Sequence, residues 1–269
     1  MSTARATEEA VAGPHSRQAF AKRIDGYERS LPWVKVGDAQ HTLRMVTPSQ
    51  VCLWRALSFF EKEPETLRWI AGFSEGAVMF DVGANVGIYT LWAALTRKAE
   101  VFAFEPEAGN YSTLNTNLRL NGLTDRCLAY CMGISDSVGM GSLRVGRASV
   151  GSSGHQVGSL SRAGVSQGVP TMTLDHLVYE AGLPCPAHVK IDVDGIEPAI
   201  VRGAGRLLAD SRLKSVLIEL AVMHADHRAV IDAMLDYGFA KDEALERAVF
   251  EKRHGVKFTG NIVFTRETS

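Results

Sequence analysis

No stretch of this chain is apolar for the roughly 20 residues that a membrane-spanning helix needs, and its opening residues lack the apolar core of a secretory leader. The expectation is a soluble, cytoplasmic protein. Cysteine is scarce: Cys52, Cys127, Cys131 and Cys185, with no CxxC pair. That argues against a disulfide framework or a cysteine-rich zinc site and for reduced thiols. An excess of either charge is missing as well. Lys and Arg total 29 against 30 Asp and Glu, for a net charge of −1, and no dense Lys/Arg stripe is present. A nucleic-acid partner is therefore disfavoured. No internal repeat is evident, which excludes a solenoid. What is present is ordinary for a globular protein: 269 residues, 46% hydrophobic and 22% charged. That length suits one large domain with an additional N-terminal piece.

Three regions follow from patterning. Residues 1–30 are polar and weakly patterned and read as a flexible segment, with a short helix at most around 17–23. Residues 31–75 read as a short β element around Gly37-Asp38, then two helices, one capped by Ser49 and one opened by Pro64, together covering the substrate side. Their aromatic residues read as helix-packing core rather than as pocket walls. From residue 76 to 269, short apolar runs alternate with amphipathic ones. Strands are expected near 77–82, 100–104, 127–131, 188–193 and 215–220, with helices near 85–95, 108–121, 197–208 and 227–237. The tail, 248–266, reads as a strand pair. Such alternation predicts parallel strands joined by right-handed crossovers, hence a doubly wound α/β sheet. An insertion of about 55 residues, 133–187, interrupts the rhythm. Its Gly/Ser-rich middle reads equally as a linker or as a flap over the sheet's carboxyl edge.

The chemistry gathers at strand ends. The first apolar strand closes with Asp81-Val82-Gly83-Ala84-Asn85-Val86-Gly87. Glycines at a strand-to-helix turn admit a ligand close to the backbone, and a helix N-terminus favours an anionic group. Asn85 tolerates a left-handed conformation. Glu105-Pro106 ends the next strand, where a carboxylate can accept from both ribose hydroxyls. Ser135 and Asp136 follow the third, where an adenine edge is expected. The dinucleotide spacing G-x-G-x-x-G is absent, so the pattern points to S-adenosylmethionine. The candidate cofactor contacts are Asp81, Gly83, Ala84, Asn85, Gly87, Glu105, Pro106, Ser135, Asp136 and Asp192.

The fourth strand runs Val189-Lys190-Ile191-Asp192-Val193-Asp194-Gly195-Ile196-Glu197. It should lie beside the first, bringing Asp192 near the cofactor's reactive end. Lys190, inside an apolar strand, requires an acidic partner. Asp194 with Glu197 reads mainly as a capping box. Glu219 ends the fifth strand and is either a site residue or the partner of Lys190. The candidate catalytic residues are Asp192, as general base or acceptor-orienting group, with Lys190 and Glu219 tuning it. His155, His224 and His227 read mainly as surface or capping residues. No metal ligand set is assigned.

Together these strings resemble the FkbM-type methyltransferase family. The matches are Val78 to Tyr89, Ala103 to Glu107 with Asn110 and the Asn117-to-Gly122 stretch, and Val189 to Glu197, supported by Thr173-Leu174-Asp175 and Glu63 to Leu67. The resemblance spans roughly residues 50 to 265. It implies a class I methyltransferase (Rossmann-like) fold: a seven-stranded sheet with a final antiparallel strand. It implies S-adenosylmethionine held by Asp81, Gly83, Asn85, Gly87 and Glu105, and O-methylation of a hydroxyl on a sugar, glycan or natural product. The partner is then a small-molecule or carbohydrate acceptor, and a homodimer is left open. Two rival readings stand beside it. One is a non-catalytic, cofactor-binding regulatory module, and the other is an RNA methyltransferase.

Overall fold

The computed structural model describes residues 14–146, 149–158, 166–221, 224–243 and 259–266. The chain begins with helix α1 (Pro14–Arg29). The short helix read around 17–23 extends over 14–29. Pro14 opens the helix at a favoured position, and Arg, Gln, Ala and Lys then sustain it without an apolar face to reveal it. Residues 1–13 lie outside the described set. A hairpin follows, β1 (Trp33–Gly37) with β2 (Thr42–Val46), paired antiparallel from Trp33↔Val46 to Gly37↔Thr42. Next come α2 (Gln50–Leu57), α3 (Phe59–Lys62) and α4 (Pro64–Ala71). Ser49 caps α2 by accepting from the Cys52 amide at 3.0 Å, and Pro64 opens α4.

The remainder builds the sheet. Its parts are β3 (Val78–Val82), α5 (Ile88–Arg97), β4 (Glu100–Phe104), α6 (Ala108–Asn121) and β5 (Cys127–Tyr130). The insertion contributes β6 (Gly133–Ile134), β7 (Gly139–Arg144), β8 (Gln156–Gly158), β9 (Ser166–Met172) and α7 (Leu174–Tyr179). Then follow β10 (His188–Ile191), α8 (Glu197–Arg202), α9 (Gly205–Ala209), β11 (Ser215–Ala221), α10 (Ala225–Asp236), β12 (Ala240–Lys241) and β13 (Thr259–Thr265). The helix expected over 197–208 is two helices, broken at Gly203 and Ala204. Of the strand pair expected over 248–266, β13 is seen, and residues 244–258, where the other would fall, lie outside the described set.

The main sheet has seven strands in the order β12-β13-β11-β10-β3-β4-β5. All pairs from β11 to β5 are parallel, whereas β13 runs antiparallel to both β11 and β12. This is the class I methyltransferase arrangement. Side chains along each strand alternate between two cores. Met79, Val101, Ala103 and Leu217 face the core shared with α2 to α6, while Phe80, Phe102, Val189 and Ile218 face the one shared with α7 to α10. The hairpin is riveted to α6 by side-chain amides: Asn121 Oδ1 accepts from Arg44 N and Asn117 Oδ1 from Val46 N, both at 2.8 Å.

Among the described residues the insertion is not an unstructured linker. It forms a second sheet, β6-β9-β7-β8. Its strands escape sequence reading because Gly, Ser and Thr fill them. In β7, Leu143 is the buried apolar residue, and in β9 Val169 serves the same role. Residues 149–155, between β7 and β8, lie across the carboxyl edge of the main sheet.

Candidate active site

The glycine turn after β3 takes its shape from neighbouring chain. Asn85 is left-handed (φ 52°), and Gly83 and Gly87 have φ of 83° and 85°. A Cβ on Gly83 would stand 2.0 Å from the Asp192 carbonyl oxygen, and one on Gly87 2.0 Å from a Leu114 methyl carbon. Both glycines therefore serve close packing of β3 on β10 and of α5 on α6. Gly87 caps α5 and does not line the cleft, contrary to the ligand contact expected of it.

Parallel pairing of β3 with β10 sets Asp81 opposite Lys190. Asp81 is buried. Its Oδ2 accepts from Thr90 Oγ1 at 2.6 Å, and its Oδ1 has no partner among the described residues. Burial raises its pKa, opposed by the Lys190 ammonium and the Thr90 hydrogen bond. Lys190 is 1% exposed and donates to Asp192 Oδ2 at 2.5 Å, its ammonium also lying over the Tyr89 ring at 5.0 Å from the centroid. Desolvation works against its charge. The acids Asp192, Glu63 and Asp81 outweigh that and raise its pKa. Burial likewise opposes ionisation of Asp192, but Lys190, Lys62 and Arg55 hold its carboxyl down at about 2.

Glu219 is the contrasting acid. It ends β11 on the same edge, and its carboxylate makes no hydrogen bond among the described residues. Burial, then the charges of Asp192 and Glu63, push it up to about 8, with Lys62 and Lys190 opposing. Of the two roles open to it, pairing with Lys190 is taken by Asp192. Glu105 is also buried, and burial lifts it to about 7 despite amide donors. Its Oε2 accepts from Asn85 N and its Oε1 from Glu107 N, both at 2.8 Å.

Asp81, Gly83, Ala84, Asn85, Glu105, Pro106, Lys190, Asp192 and Glu219 line one cavity of about 300 Å³. That is at the small end of the ~300–1,000 Å³ usual for small-molecule sites. Ser135 and Asp136 do not line it. The chain turns off the edge after Ile134, and Asp136 pairs with Arg202 at 2.8 Å on the surface. Met132, Gly133 and Ile134 take the wall expected of them. Asp194 caps no helix. The N-cap of α8 is Ile196, and Asp194 Oδ2 accepts from Gly154 N at 2.6 Å and His155 N at 3.1 Å. With Asn85 Nδ2 donating to Ser152 O at 2.9 Å, this ties residues 152–155 over the cleft. His155 lines the cleft, while His227 accepts from Ala221 N at 3.0 Å.

Sequence reading expected the N-terminal helices on the substrate side but named none of their residues in the cleft. Arg55 from α2, Lys62 from α3 and Tyr89 from α5 line it. Behind Lys62, which pairs with Glu63, lies a buried polar cluster. In it Asn261 Nδ2 reaches Glu65 Oε1 at 3.0 Å and Glu63 Oε2 at 3.2 Å. The only available signal was the polar residues interrupting the apolar period of α2 to α4. Among the described residues, no group of three or more His, Cys, Asp or Glu could hold a metal ion.

Known proteins share this framework. The family described as Methyltransferase FkbM domain matches residues 81–240. Hexuronic acid methyltransferase AglP of Haloferax volcanii is 27% identical over 186 residues, covering 69% of this chain and 72% of that protein. Among solved structures, precorrin-6y C5,15-methyltransferase from Geobacter metallireducens GS-15 aligns with a TM-score of 0.43 and 14% identity, over 76% of this chain and 87% of that one. TYW2 from M. jannaschii in complex with AdoMet aligns at 0.42 and 13% identity, over 87% of each. Likeness at those scores says nothing of activity. The family match spans more than half of the chain and contains the strands that build the cleft, so the protein belongs to the FkbM family of S-adenosylmethionine-dependent methyltransferases.

Proposed function

We propose that the protein methylates a hydroxyl oxygen of a sugar or sugar-bearing molecule, using the cleft described above. The observation that carries this reading is the Asp81 carboxylate. It is buried at the cleft floor with Oδ1 unpartnered, between Glu105 on one side and Glu219 on the other. An unpaired buried acceptor is costly unless a ligand donates to it. An ammonium such as that of the cofactor's amino-acid end meets that need. Each Glu105 oxygen has a second lone pair for a ribose hydroxyl, and Phe104, Met132 and Ile134 offer apolar surface for the base. Bound S-adenosylmethionine supplies a methyl group already activated for displacement.

The chain must then align the acceptor and remove its proton. Asp192, clamped by Lys190 and strongly acidic, is a poor base; it is suited to accept a hydrogen bond from the acceptor and orient it. Glu219, without a hydrogen-bond partner among the described residues and raised by burial to about 8, is the stronger base. This reverses the roles that strand position alone suggested. The sugar preference is supported by the similarity to a hexuronic acid methyltransferase.

Calorimetry with S-adenosylhomocysteine tests the cleft: binding is expected, weakened by Asp81→Asn, and a wild-type protein that bound none would favour a non-catalytic module. The oxygen is tested on the methylated product. A methyl ether survives mild alkali, and an alkali-labile methyl ester would overturn the hydroxyl assignment.

A further inference from the structure

Beside the cofactor cleft lies a second cavity of about 420 Å³, between α2 and residues 152–153. Gln50, Val51, Trp54, Arg55, Ser152 and Ser153 line it. Arg55 and Ser153 line both cavities, so the two spaces meet at the guanidinium. Arg55 is half-buried, and its Nε donates to Gly151 O at 2.6 Å. Its remaining two nitrogens make no hydrogen bond or ion pair among the described residues. A guanidinium fixed at Nε presents a planar pair of donors, the shape that a carboxylate matches.

The rest of the lining is equally specific. Trp54, the preceding residue, is 53% exposed on a helix whose neighbours Cys52 and Ala56 are buried. An indole face held in solvent is a platform for the C–H face of a sugar ring. The Ser152 hydroxyl is buried without a partner on the same wall, and Gln50 adds a polar side chain. An aromatic face, polar groups and a cation with no ion pair among the described residues suit an acidic sugar better than an apolar ligand.

We propose that this groove is the acceptor subsite and takes a carboxylate-bearing saccharide. Arg55 holds the carboxylate at the mouth of the cofactor cleft, and Trp54 carries the next sugar ring outward. The proposal rests on the methyl-transfer reading of the cleft.

The test is calorimetry on protein saturated with S-adenosylhomocysteine, titrated with methyl glucuronoside and with methyl glucoside. The glucuronoside is expected to bind at least about tenfold more tightly, as a charge-assisted hydrogen-bond pair provides. Arg55→Gln should abolish that preference and Arg55→Lys should retain part of it. Trp54→Ala should weaken a glucuronate-containing disaccharide and leave the monosaccharide nearly unchanged. No preference for the glucuronoside in the wild type would overturn the proposal. So would an Arg55→Gln protein that lost affinity equally for both sugars, since the arginine would then only prop Gly151. Tighter binding of glucose 6-phosphate than of the glucuronoside would overturn the carboxylate assignment. Failure of S-adenosylhomocysteine to bind would instead refute the reading of the cleft.

Discussion

Lys190 shows how one side chain can organise a site. It sits in an apolar strand, 1% exposed, and tolerates burial because Asp192 receives it at 2.5 Å and the Tyr89 ring lies beneath it. Removing the ammonium leaves partly buried acids without compensation, which costs about 3–5 kcal/mol for a buried pair. Lys190→Met is therefore expected to lower the denaturant midpoint by that order, and the double variant with Asp192→Asn to recover part of the loss. Glu219 is the matching case for activity. Glu219→Gln is expected to reduce kcat by about 10²–10⁴, the usual contribution of a positioned base, while S-adenosylhomocysteine still binds. Because Glu219 must be ionised to act, wild-type turnover should rise with pH through about 8, and the variant should lose that limb. A pH–rate profile of both proteins checks the assignment. An unchanged profile would return the base to Asp192.

At the scale of elements, the cleft depends on one segment holding another. Residues 149–155 are pinned by side chains: Ser49 Oγ donates to Val150 O at 2.6 Å, Arg55 to Gly151 O and Asn85 to Ser152 O, Asn110 Oδ1 accepts from Gly151 N at 2.7 Å, and Asp194 accepts from Gly154 and His155. Asp194→Ala removes the contact to β10's end and leaves those of Ser49, Arg55, Asn85 and Asn110. Amide exchange at Gly154 and His155 is expected to speed up by at least about tenfold, with the main-sheet amides unaffected. The glycine turn is held as firmly, by packing. Gly83→Ala drives a methyl into the Asp192 carbonyl, so a loss of stability of at least about 1–3 kcal/mol is expected in a denaturant melt. The glycines were legible as a turn. That their freed space is filled by Asp192 and Leu114 was not, because those residues lie far along the chain and meet the turn only after the crossovers close.

The molecule as a whole concentrates acids on one sheet edge, and this gives its stability a pH dependence. Glu219 at about 8 and Glu105 and Glu197 at about 7 are all raised by burial above their ordinary 4.5. The folded chain binds more protons at these groups than the unfolded chain does. Their contribution to stability is complete below about pH 4.5 and is lost as pH rises through about 7 to 8. Asp192 has the opposite sign. Its stabilisation holds above its ordinary 3.8 and is lost as pH falls through about 2. The ligand-free protein should therefore melt at highest temperature in mildly acidic buffer and lose stability between pH 5 and 8.5, as scanning calorimetry can record.

The doubly wound sheet, the glycine turn, Glu105 and the Lys190–Asp192 strand were all written in local patterns: period-2 apolar strands, caps, and charged residues at strand ends. Such features depend on neighbours a few residues away, and the sequence displays them directly. Tertiary structure alone decided the rest. It turned Ser135 and Asp136 off the edge, made Asp194 an anchor instead of a cap, and folded a glycine- and serine-rich insertion into a sheet. It also brought Arg55 and Lys62 to the cleft, and Trp54 to the cavity beside it, from helices whose apolar period named none of them as pocket residues. These outcomes hinge on contacts between residues far apart in the chain, whose energies become defined only when the two cores close against the sheet.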